Sequence, residues 1–134
     1  GLTNSGRVCA PELIVRRHRV LGCDVRFDEA FGKGARHGLG EDYVFVADML
    51  RAGMRAEALA ILTGRHPRPS TGELWTSPAI FNARLAVQTR VFGRGARLVH
   101  PLYALRHARR FARPGLAVRF ALGRAMPDDP GGGA

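Results

Sequence analysis

GLGEDYVFVADMLRAG, residues 38–53, is the stretch on which the reading of this chain turns. Tyr43, Val44, Phe45, Val46, Ala47, Met49 and Leu50 would cover most of the circumference of a helix, the pattern of an element packed on several sides. The spacing predicts that helix over Asp42 to Ala52. Acids in its first turn, Arg51 near its end and Gly53 just beyond it agree with the helix dipole and with a glycine C-cap. Asp48 and Arg51 supply its polar edge. Two adjacent acids, Glu41 and Asp42, thus stand at the mouth of a buried helix.

Working outward, the preceding GKGARHGLG places Gly32, Gly34, Gly38 and Gly40 within nine residues and reads as a mobile or tightly folded loop. Its GxG pair is no dinucleotide fingerprint, because it follows FDEAF and lacks the strand, the third glycine and the later ribose-binding acid. Upstream, Glu12 to Arg16 is a short strand candidate before a turn at LGCD. Downstream, AEALAILTG (56–64) reads as a strand leading into RHPRPSTGELW, whose prolines cannot continue a ladder. The pattern then becomes helical from Ser77. SPAIFNARLAVQTRVFG has Pro78 at the first helical position and apolar Ile80, Leu85 and Val91. HPLYALRHARRFA restarts a helix at Pro101, and PDDPGGGA reads as a disordered tail. No internal repeat is present.

At 134 residues and 46% hydrophobic, the chain has the size and apolar content of one domain. It begins at Gly1, and GLTNSGRV carries neither a signal-peptide core nor a targeting pattern, so the expectation is a fragment of a larger protein. No uncharged apolar stretch approaches the roughly 20 residues that cross a bilayer. Cys9 and Cys23 are too far apart for a CxxC motif and read as two reduced thiols packed as small hydrophobes. The net charge of +10 is unevenly placed, since residues 74–127 hold ten arginines and no acid.

Two roles are open to the acid pair. A carboxylate at a helix N-terminus meets the positive end of the dipole, worth about 0.3–1 kcal/mol. On so apolar a helix, behind a glycine loop, it also suits a general base that a rigid element holds at a cavity rim. His66 likewise has two readings. With Arg65, Arg68, Ser70 and Thr71 it forms a basic, hydroxyl-bearing loop able to cradle a diphosphate and a metal; alone it is a surface histidine. His18, His37, His100 and His107 show no metal-ligand spacing and read as surface or capping residues.

Taken in order, RFDEAFGKGARHGLGEDYVFVADMLRAGMR, a strand, then HPRPSTG resembles the C-terminal half of family 2 glycosyltransferases. The likeness covers roughly Val8 to Trp75, and more weakly FNARLAVQTRVFG. It implies an α/β architecture: the C-terminal half of a GT-A, Rossmann-like domain over 1–93, a basic helical extension over 94–126, and the tail over 127–134. By position, Asp42 would be the catalytic base and Glu41 its neighbour in the GED motif. His66 would match a histidine that helps hold a divalent metal, Mg or Mn, on the sugar nucleotide. The family's nucleotide-binding half with its DxD motif is absent, and Asp128 and Asp129 do not replace it. The resemblance therefore implies the acceptor side of an inverting transfer from a nucleotide-sugar donor to a hydroxyl-bearing glycan or lipid-linked acceptor, inactive without its other half. Such an enzyme would work in the cytoplasm, at the inner face of the cell membrane.

Two other classes bear on the basic segment. A nucleic-acid-binding module is disfavoured, because residues 84–124 lack an aromatic stacking pattern and a helix-turn-helix. An anionic membrane surface is the better partner for HPLYALRHARRFA. There Leu102, Leu105 and Ala112 can share a side while Arg106, Arg109, Arg110 and Arg113 meet headgroups. An ordinary solvated helix accounts for the same pattern.

Overall fold

The computed structural model describes residues 10–61, 75, 77–111 and 113–127, whose regular secondary structure is helical. Five α-helices follow one another: α1 (Arg17–Gly22), α2 (Glu41–Arg51), α3 (Pro78–Phe92), α4 (Ala96–Arg106) and α5 (Pro114–Ala121). Short 3-10 turns occupy Ala10–Glu12, Gly93–Gly95 and Ala108–Arg110.

The α/β expectation is overturned. Among the described residues there is no strand; one isolated bridge, Phe31 to His37, is the nearest approach to a ladder. Glu12 closes a 3-10 turn, residues 13–16 are irregular, and residues 56–61 are irregular and exposed, with 62–64 outside the described residues. A strand is stabilised by a hydrogen-bonded neighbour and a covered face, and an apolar run with neither does not form one. The GT-A, Rossmann-like architecture falls with those strands.

The helices end as their sequences dictate. At α2 the N–H groups of Gly53 and Met54 bond back to Leu50 O (3.1 Å) and Met49 O (3.1 Å), a Schellman closure. Gly53 takes φ +82 to make it, and Met54 packs into the same cluster as Met49. α1 closes in the same way, with Asp24 in the left-handed region and Val25 N–H on Val20 O. α3 starts at Pro78 after Ser77, whose Oγ accepts from the Ile80 N–H at 3.4 Å. α4 departs from expectation. It begins at Ala96, so Pro101 lies inside it rather than at its start. An interior proline removes one helical hydrogen bond and costs about 3 kcal/mol; the burial of Ala96, His100 and Ala104 on either side of it offsets that cost.

α3 is the spine. Val87 and Val91 pack with Phe31, Val44 and Ala47, holding α2 and its loop. Phe81 and Leu85 pack with Ala104, Phe111, Phe120 and Met126, holding α4, α5 and the segment after α5. Val20, Phe45, Val46 and Met49 join α1 to a further face of α2, which is thus covered on several sides as its sequence requires. Asn82 fastens the last described segment, donating to Met126 O (3.1 Å) and accepting from Met126 N–H (2.6 Å).

His100 is buried on Phe120, contrary to a surface or capping role, and its Nε2 has no hydrogen-bond partner among the described residues. Burial lowers its pKa, opposed by a backbone hydrogen bond with Leu85. Burial, then Arg110, Arg106 and Arg84, lower that of His107. A histidine held neutral contributes stability that is complete above its unfolded value, near 6.5, and is lost as pH falls below it. The melting temperature is therefore expected to fall on acidification from about pH 7 to pH 5, and His100→Leu to flatten that fall. Identical pH profiles for both proteins would show that His100 does not drive it.

Candidate functional site

The loop before α2 is tightly folded. Asp28 Oδ1 accepts from the Ala30 N–H at 3.1 Å, which starts a turn. The Gly32 N–H donates to His37 O (2.8 Å) and the His37 N–H to Ala30 O (2.9 Å), pinching the loop at its neck. The His37 ring lies 5.0 Å from that of Phe31, so this histidine is part of the loop's packing.

Gly40 then delivers the chain into α2 in the left-handed region, φ +98. A Cβ there would overlap the Val87 side chain of α3, so any other residue would have to displace that side chain and hold a strained backbone. Glycine offers no side-chain cap, and the Val44 N–H bonds to Gly40 O at 3.0 Å. Glu41 and Asp42 occupy the first turn, where the helix dipole favours carboxylates. Both are half-buried. The Glu41 chain lies over Gly32, its Cδ 3.2 Å from where a Cβ on Gly32 would stand, and one Asp42 carboxylate oxygen is buried. α2 runs over Glu41–Arg51, within a residue of the helix expected at each end.

An open cleft of about 450 Å³ lies between this loop, α3 and the segment after α5, lined by Phe31, His37, Asn82, Leu85, Thr89 and Arg90 among others. Neither Glu41 nor Asp42 lines it. Arg65, His66, Arg68, Ser70 and Thr71 lie outside the described residues. Among the described residues no group of three His, Cys, Asp or Glu could hold a metal ion. Cys23 is a free, exposed thiol and not a packed one; Cys9 lies outside the described residues, as does the tail from Asp128.

Sequence reasoning missed the ion cluster that fixes the loop to the helices. Arg90 of α3 donates through Nε to Asp28 (2.9 Å) and through Nη2 to Asp48 of α2 (2.8 Å). Arg51 meets Asp48 at 2.9 Å and also donates to Val91 O. The bonds to Asp48, and then to Asp28, raise the Arg90 pKa against partial burial. Asp28, the acid of FDE, is thereby committed to holding structure. No local spacing announces a pair 62 residues apart.

Trp75, at the end of the basic loop's sequence, was missed as well. Its ring meets Tyr103, His107 and Phe111, with the Arg84 guanidinium 4.3 Å above it and that of Arg110 at 5.2 Å. The loop's C-terminal end is thus anchored on α3 and α4.

Among known proteins no family model, curated protein or solved structure matches the chain. No helix among the described residues is long and apolar enough to cross a membrane.

Proposed function

We propose that this chain provides the acceptor side of a glycosyl transfer, with Asp42 as general base toward the hydroxyl of a glycan or lipid-linked acceptor. The reading takes over the chemistry implied by the GED motif without the sheet architecture expected beside it; activity belongs to a site and not to a fold. One observation carries it: an acid pair placed on the first turn of a buried helix whose entry, at left-handed Gly40, packs directly against Val87. A single carboxylate would satisfy the helix dipole, and a second on so rigid a support suits a base that must be held in position.

In the step assigned here, the Asp42 carboxylate takes the acceptor's hydroxyl proton as that oxygen bonds to the anomeric carbon. The bond from that carbon to the donor phosphate breaks, and its electron pair leaves with the nucleoside diphosphate. Glu41, lying over Gly32, keeps the loop against the helix. His66, with Arg65, Arg68, Ser70 and Thr71, would face the diphosphate and its divalent metal. The donor-binding half with DxD would come from outside these residues, and a cytoplasmic setting supplies the sugar nucleotides.

The test is nucleoside diphosphate release from a panel of sugar nucleotides with Mg or Mn. The chain alone should stay at background, and joining it to a donor-binding half that carries DxD should start release. Robust turnover by the chain alone, or none after joining, would sink the reading.

A further inference from the structure

α4 carries an apolar stripe that nothing among the described residues covers. Leu98, Leu102 and Leu105 are spaced by four and three residues, so they share one side of the helix, and they are 72%, 66% and 76% exposed. The opposite side is spent on the core through Ala96, His100 and Ala104. At 100° per residue, exposed Arg97 and Arg106 fall on either flank of the stripe, and Arg94 and Arg109 stand exposed just beyond the helix ends. Leu98 extends the side that the sequence pattern assigned to Leu102 and Leu105; Ala112 lies outside the described residues.

Charge selects the occupant. Residues 74–127 hold ten arginines and no acid, so a second copy of this face would set arginine against arginine. A nucleic acid would pair with the arginines and leave three leucines in water. An anionic bilayer matches both, because its headgroups meet guanidinium groups on the flanks while its acyl boundary takes the leucines.

We propose that the outer face of α4 is an interfacial contact for an anionic lipid surface, with Leu98, Leu102 and Leu105 entering the headgroup boundary and Arg97 and Arg106 binding phosphate headgroups. This goes beyond the glycosyl-transfer reading, and its test needs no turnover. The probe is vesicles of phosphatidylcholine alone or with roughly one-third phosphatidylglycerol, read by co-sedimentation of the whole chain at rising salt. Wild type should bind the anionic vesicles at low salt and detach as salt rises. Arg97→Gln with Arg106→Gln should weaken partitioning by roughly 30-fold, from the usual contribution of one basic residue near a charged bilayer. Leu98→Ser with Leu102→Ser and Leu105→Ser should abolish it, with the far-UV spectrum unchanged because these side chains are already in water. Equal binding to neutral vesicles would overturn the proposal. So would binding that survives the leucine changes and is matched on heparin, or leucine-dependent self-association without vesicle binding.

Discussion

Asp42→Asn, in the enzyme joined to its donor-binding half, is expected to lower turnover roughly 10²- to 10⁴-fold, with donor affinity and melting temperature little changed. Asparagine keeps the size and one oxygen of the side chain but cannot accept the proton, so the substitution separates chemistry from helix support. Asp42 sits at the positive end of α2, and the dipole contribution lost with its charge is about 0.3–1 kcal/mol, too small to unfold the domain. Glu41→Gln should be milder, because Glu41 is placed over Gly32. Turnover and thermal unfolding measured side by side decide the matter. Near-normal turnover in Asp42→Asn would return the acid to the helix dipole alone, and a loss matched by an equal loss of folded protein would do the same.

Phe120→Ala should cost about 3–5 kcal/mol, out of about 5–15 kcal/mol for a domain of this size. Phe120 has no exposed surface, and its ring meets Tyr103 at 5.4 Å, Phe111 at 5.7 Å and His100 at 5.9 Å. Three aromatic rings from α4 and the segment between α4 and α5 therefore surround one side chain, and alanine would leave a cavity that this rigid set closes only in part. Urea unfolding is the measurement, and the midpoint should fall with the slope unchanged. Phe120→Leu should recover much of the loss. A change under about 1 kcal/mol for Phe120→Ala would show that α5 contributes little to the cooperative fold.

Much of the helical content was legible in the sequence. The stretch from Glu41 to Gly53 carries its own start, its own stop and an all-round apolar surface, and the helix forms within a residue of where those signals put it. Ser77 and Pro78 set the start of α3 by the same short-range rules. The absence of strands at 12–16 and 56–61 was not legible, because β-propensity says only that a segment fits a sheet and not that a neighbour exists to pair with it. Pro101 misled for a related reason. Local steric rules place proline at a helix start, and only the packing of Ala96, His100 and Ala104 makes an interior position tolerable.

At the candidate site, the sequence by itself determined the acid pair and the glycine entry, and beyond it the arginine-rich, acid-free segment 74–127, since each is written in neighbouring residues. Tertiary structure alone decided that Asp28 serves Arg90, that His100 is buried on Phe120, that Gly40 abuts Val87, and that Leu98 joins Leu102 and Leu105 on an uncovered face. Caps, turns and periodicity act over a few residues and can be read along the chain. Ion pairs, burial and exposure depend on which distant elements share a face, and that is settled when α3 packs between α2 and α4.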